Sequence, residues 1–225
     1  MISVLELHEL FDVGIDKYGS PYFLDKEKDA FINEAQINII KDLVYNRRRD
    51  VNLNGRLDVG YEANESISAQ IQPFVRTASG TMSTPGLIDD AALKLAYGRE
   101  YVKVISVELV MDDGNWVMAQ WARTNDIPKF AISSMKSPQR GCRMYYTLEY
   151  EGIFVHPGNV AEDYRVKSIV MPAKVNSTTL VPVDSEFPES MKHELVSRAV
   201  ALAALSIRDQ GLYGAQNSEN NNQQL

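Results

Sequence analysis

The chain has 225 residues, 44% of them hydrophobic, a formal charge of −7 and one cysteine. This is enough apolar material for a proper core, while the acidic balance argues against a general affinity for nucleic-acid phosphates and leaves only a local patch open. The lone Cys142 excludes an intramolecular disulfide and fits a reducing cytoplasm; no stretch approaches the roughly 18 apolar residues of a membrane span, and Met1 to Asp12 has no basic start or cleavage signal, so the chain reads as soluble and unexported.

Two helices are expected near the N-terminus. Ser3 and Glu6 stand at capping-box spacing ahead of Leu7, Leu10 and Phe11, which predicts a short helix ending near Gly14. A turn follows at Gly19, Ser20 and Pro21. Asp25 then caps a longer helix to about Tyr45, in which Phe31, Ala35, Ile39 and Leu43 recur every four residues beside Ile32, Ile40 and Val44.

Further along, the period of the apolar residues falls from near four to two. Tyr101 to Met111 alternates as a strand, Asp112, Asp113 and Gly114 are hairpin-turn residues, and Asn115 to Arg123 is the returning strand with Trp116, Met118 and Trp121. Further strands are expected at 70–78, 142–151, 152–156 and 164–171, punctuated by Pro73, Gly152, Pro157, Gly158 and Pro172. Pro128 to Ser134 is open between a short helix and a loop. No internal repeat is visible.

Near the C-terminus, Asp184, Ser185, Glu186 and Phe187 lead into Pro188, which suits a first helical turn. The helix carries Leu195, Ala199 and Leu202 on one stripe and Val196, Val200, Ala203 and Ile207 on the next, and its alanines keep that face shallow. Gly211 and Gly214 are read as its stop. The expected fold is therefore α+β, a single domain over 1–213 with N-terminal helices in 1–48, a central antiparallel β-rich region over 65–180 and a C-terminal helix at 188–211. Residues 214–225, rich in Asn and Gln, are expected to be a disordered tail.

Candidate chemical groups are sparse. Asp50, Asn52, Asn54, Gly55 and Asp58 follow the spacing of a calcium loop, but its twelfth position is Tyr61 and Glu62 comes one residue late. The closing bidentate carboxylate is missing, so the segment reads as an Asn/Gly-rich surface loop. Arg47, Arg48 and Arg49 form the only basic run, open to a phosphate or acidic partner but better placed to complement a helix C-terminus. His8, His156 and His193 lack the spacing of a metal motif, and His193 reads as a surface residue. Cys142 has no histidine near it in sequence and reads as a packed thiol. Phosphate-loop, dinucleotide and serine-elbow patterns are absent from the sequence, and the Asn64-Glu-Ser66 and Asn176-Ser-Thr178 sequons carry little meaning without a secretory signal.

Two further readings stay open. Tyr145, Tyr146 and Tyr150 with Trp116 and Trp121 offer a stacking platform for carbohydrate or single-stranded nucleic acid, although strand cores use aromatics for packing more often. A hydrolase site assembled from distant residues such as His156 and Asp163 is the other.

The segment Phe23-Leu-Asp-Lys-Glu-Lys-Asp-Ala-Phe31-Ile-Asn33-Glu-Ala35-Gln36 resembles the opening of tail-adaptor and ring proteins of crAss-like Bacteroidetes phages. At the other end, Pro172-Ala-Lys-Val, Asp184-Ser-Glu-Phe187-Pro188-Glu, Met191-Lys-His193-Glu-Leu195-Val and an alanine-rich helix ending Ser206-Ile-Arg-Asp resemble the closing segment of head-to-tail connectors, including the tail tubular protein A type. The resemblance implies a non-enzymatic virion protein with no catalytic residue, cofactor or metal. It implies a homo-oligomeric ring, commonly of twelve subunits, that meets the portal protein and neighbouring ring or tail proteins. Genomic DNA would pass through it without sequence-specific binding, no membrane would be involved, and assembly would occur in the host cytoplasm.

Overall fold

The computed structural model describes residues 1–16, 23–45, 69–82, 86–110, 114–133, 136–138, 143–157 and 163–222, with side chains to 207 in the last segment. In chain order the elements are α1 (Val4–Asp16), α2 (Asp25–Tyr45), β1 (Val75–Thr81), β2 (Leu87–Asp89), α3 (Asp90–Tyr97), β3 (Tyr101–Val110), β4 (Trp116–Trp121), α4 (Ile127–Ile132), β5 (Tyr145–Glu149), β6 (Gly152–His156), β7 (Asp163–Val170) and α5 (Lys192–Asn222). The fold is α+β, with helices at both ends around a seven-stranded sheet. It forms two compact units, Met1–Pro73 with Pro172–Leu225, and Phe74–Met171, where the sequence reading has one domain over 1–213.

The first unit is built on the apolar stripes of its helices. Leu7 and Phe11 of α1, Ile32, Ala35, Ile39 and Ile40 of α2, and Leu195, Ala199 and Ala203 of α5 are all essentially inaccessible. Burying each large aliphatic or aromatic side chain of this kind contributes about 1.5–3 kcal/mol, which outweighs the modest propensity differences among them. Phe31 stacks on Phe11 with centroids 6.2 Å apart, and Phe23 meets both rings edge-on at 5.9 and 5.4 Å. Small residues let α1 and α5 approach closely: a Cβ built on Gly14 would stand 2.8 Å from Val200 Cγ2.

The helix termini differ from expectation in instructive ways. The Val4 amide at the start of α1 donates to Asp184 Oδ1 at 3.0 Å, so its cap comes from far along the chain. At α2, Glu27 reaches back to the Leu24 amide at 2.8 Å, one half of a capping box. Pro188 is extended and a 3₁₀ turn at Glu189–Met191 precedes α5, so the helix begins at Lys192 rather than at Pro188. Gly211 and Gly214 do not end α5, which continues to Asn222. A glycine inside a helix costs only about 1 kcal/mol against alanine and terminates it only where a left-handed cap is formed.

The second unit is one sheet in the order β1-β7-β3-β4-β5-β6-β2. Its pairs are antiparallel except β4 with β5, which run parallel through Gln120↔Tyr145 and Trp121↔Tyr146, so the region is mixed rather than wholly antiparallel. The β3–β4 hairpin keeps its turn glycine: Gly114 has φ +77°, the left-handed conformation that the Asp-Gly sequence predicts. One side of the sheet supplies the core. Ala78, Ile88, Val104, Val107, Leu109, Ala119, Tyr146, Ile153, Val155 and Val166 join Leu93 of α3 in a single cluster. Because α3 packs on β1, β2 and β6, the two edge strands converge on one helix and the sheet is curled. Asp89 caps α3 by accepting from Ala91 N–H at 2.9 Å. Pro128 to Ser134, open in sequence, is helical over most of its length as α4.

Candidate assembly surface

Between the two units' boundary and α5 runs a segment without apolar periodicity, 172–187, and side chains of α2 hold it. Asn33 accepts from Val175 N–H at 2.7 Å and donates to Val175 C=O at 3.0 Å. Buried Gln36 donates to Asn33 Oδ1 at 3.1 Å and to Ala173 C=O at 3.4 Å, and accepts from Ser185 Oγ at 2.9 Å. Ile2 and Ser185 form a two-bond antiparallel bridge at 3.0 Å each, and Glu186 accepts from Ala173 N–H at 3.1 Å. Backbone groups that a sheet would satisfy are here satisfied by amides and carboxylates.

Within this segment the chain turns back on itself. Asn176 and Val183 pair as an isolated bridge with bonds of 3.2 and 2.8 Å. Asn176 Oδ1 accepts from both the amide and the hydroxyl of Thr178 at 2.9 Å, and Thr179 Oγ1 donates to Val181 C=O at 2.7 Å. At the tip Leu180 is 103% exposed, with Val181 at 76% and Val183 at 38%. The loop is therefore pinned at its base and apolar at its tip.

The base is ionic. Asp29, 6% exposed, accepts from Ser177 N–H at 2.9 Å and Ser177 Oγ at 2.8 Å through Oδ2, while Oδ1 faces His8 Nε2 at 2.9 Å. His8 Nδ1 lies 3.5 Å from Asp25, and buried Lys28 reaches Asp12 at 2.7 Å and Asp25 at 3.6 Å. A serine, a histidine and an aspartate are all present, but the aspartate sits between the other two. Nucleophilic catalysis needs the imidazole on the serine oxygen, so this arrangement braces a loop and does not activate a hydroxyl.

The residues singled out in sequence scatter. The Asp50 to Asp58 loop with Tyr61 and Glu62, the Arg47 to Arg49 run, Asn64 to Ser66 and Cys142 lie outside the described residues. His193 is exposed on α5, as expected, and the sequon residue Asn176 serves the turn just described. His156 closes β6, where burial lowers its pKa against the opposing charge of Glu149, and its Nε2 lies 3.3 Å from Thr147 Oγ1. Asp163 opens β7, and β3, β4 and β5 stand between β7 and β6 in the sheet, so the His156–Asp163 pair is not a neighbouring-strand pair. The five-ring platform does not form as one surface: Tyr145 and Tyr146 are buried, Tyr145 against Phe130 at 5.2 Å, and Tyr150 is fully exposed on a turn. Trp116 and Trp121, an odd number of residues apart on β4, point to opposite sides of the sheet.

Among the described residues no group of three or more His, Cys, Asp or Glu is arranged to hold a metal ion, and no helix is long and apolar enough to cross a membrane. Of the residues that build the loop, Asp29 and Asn33 fall in the adaptor-like segment and Ser177 in the Asn176 sequon, but no sequence signal marks them as partners. Neither the protein-family models nor the curated proteins include a match to this chain.

Proposed function

We propose that the chain is a non-enzymatic structural protein of a phage virion, a ring or adaptor subunit of the portal–tail connector that continues the DNA channel. The observation that carries this reading is the pinned loop at 176–183. A fully exposed leucine beside an exposed valine is unfavourable in water, and the bonds from Asn176, Asp29 and Thr179 order it before any partner arrives. Such a tip suits a contact with a neighbouring subunit in a closed assembly. The adaptor-like segments lend support from the sequence, because Asn33, Gln36, Asp184 and Glu186 within them are the side chains that hold 172–187. The partners in this reading are further copies of the chain, a portal protein and adjacent ring or tail proteins, with DNA passing by.

Mass measurement of the purified chain, alone and with a cognate portal, tests it. The expected result is a closed oligomer or a stoichiometric portal complex, and loss of that assembly in the double variant Leu180→Ser/Val181→Ser with an unchanged melting temperature. A chain that stays monomeric under both conditions, or a double variant that assembles normally, overturns it.

A further inference from the structure

The outer side of the second unit carries a groove that the assembly reading leaves unused. Its volume is about 340 Å³, and it is lined by Ser79, Gly80 and Thr81 of β1, Asp163, Tyr164 and Arg165 of β7, and Trp116 of β4. The register explains the convergence. Ser79 pairs with Arg165 and Thr81 with Asp163, while Arg165 pairs with Glu108 of β3, whose own partner on β4 is Met118, two residues from Trp116. Arg165 crosses β3 to lie 4.1 Å over the Trp116 ring and donates to Glu108 at 3.2 Å. Thr81 Oγ1 donates to Asp163 at 2.5 Å.

We infer that this groove binds a neutral saccharide. The Trp116 indole remains 42% exposed although Arg165 covers one of its faces, and the other face is an apolar plane of the kind on which the C–H face of a sugar ring packs. Asp163 accepts only, and the Thr81 hydroxyl occupies one of its several lone-pair sites; Arg165 donates only, and Glu108 takes part of its fork. Two adjacent sugar hydroxyls match that pair, because each hydroxyl accepts from the guanidinium side and donates to the carboxylate side. The charges decide the class. Within the lining Asp163 balances Arg165, whose guanidinium Glu108 already engages, so the groove offers a phosphate no net positive charge, whereas a neutral polyol needs none. The volume suits one or two sugar rings rather than a long chain.

The test uses the full chain and a panel of neutral mono- and disaccharides, read by titration calorimetry and tryptophan fluorescence, with inorganic phosphate and an oligothymidylate as charged probes. At least one sugar is expected to saturate with a Kd below about 10 mM. Trp116→Ala and Asp163→Asn are each expected to weaken it by roughly tenfold or more, while Trp121→Ala leaves it unchanged. Ser79→Lys, at an exposed outer position on an edge strand, fills the groove without entering the core and is expected to abolish binding even if one of the other variants folds poorly. No saturable sugar binding, binding that survives Trp116→Ala and Ser79→Lys, or tighter binding of phosphate or oligothymidylate than of any sugar each overturns the inference. None of these outcomes bears on whether the chain forms a ring.

Discussion

Asn33 makes with the backbone of Val175 the pair of hydrogen bonds that a neighbouring strand would make, its Oδ1 taking the amide at 2.7 Å and its Nδ2 giving to the carbonyl at 3.0 Å. Val175 is 2% exposed, so water cannot replace either bond cheaply. Asn33→Ala is expected to lower unfolding stability by about 1–3 kcal/mol, measured as a shift in urea midpoint. A shift near zero would mean that 172–187 is held by its apolar contacts alone.

Asp29 should be the costlier loss. Its removal leaves Ser177 N–H, Ser177 Oγ and His8 Nε2 without their shared acceptor in a buried site. Asp29→Ala is expected to destabilise by about 3–5 kcal/mol, and Asp29→Asn, which keeps a carbonyl acceptor, by clearly less. Limited proteolysis should cut the Asn176 to Val183 loop faster in Asp29→Ala than in the parent chain. Equal rates would show that the turn's own bonds suffice.

Gly14 and Val200 should couple. Gly14→Ala gains about 1 kcal/mol of helix propensity but forces a carbon to within 2.8 Å of the buried, β-branched Val200, and overpacking of this kind costs about 1–3 kcal/mol. Val200→Ala alone loses about 2 kcal/mol through the cavity it leaves. The double variant is expected to be more stable than the sum of the singles by about 1 kcal/mol or more, because the new methyl occupies the vacated space. Additive effects in a double-mutant cycle would place the two helices farther apart than described.

The pH response should include a contribution from His156. Burial lowers its pKa in the folded state, so the unfolded chain binds more protons once pH falls below the ordinary histidine value of 6.5. The stability linked to this group is complete above that value and is lost as pH falls through the lowered folded value. Urea midpoints at about pH 7.5 and 5.5 should differ less in His156→Gln than in the parent chain. An identical pH dependence in both would assign the response to other groups.

How much of this was legible in sequence depends on how far each cause lies along the chain. The helical stripes and the β3–β4 hairpin were readable, because period and turn chemistry act over a few residues. Helix α3 is hard to read although its markers are present: Asp89 at the N-cap and Gly98 at the left-handed C-cap bracket only eight residues, too short for periodicity to stand out. The parallel pairing of β4 with β5 had no local signature, since direction is decided by the connection and not by either strand. Asp29 and Ser177 sit 148 residues apart, and nothing in the pattern around either one announces the other. The loop tip is equally silent, because Leu180 and Val181 look in sequence like any short apolar run.

The β1–β7 ladder has a consequence for the chain's modularity. Val75, two residues after the first unit leaves off, pairs directly with Ile169, three residues before that unit resumes at Pro172. The strand unit therefore begins and finishes at one point in space, about the 5 Å separation of paired residues. Sequence continuity between residues 73 and 172 is then geometrically dispensable: a short linker spans the gap, so the strands form an insert that can be excised, exchanged or lengthened while the helical unit keeps its own connectivity.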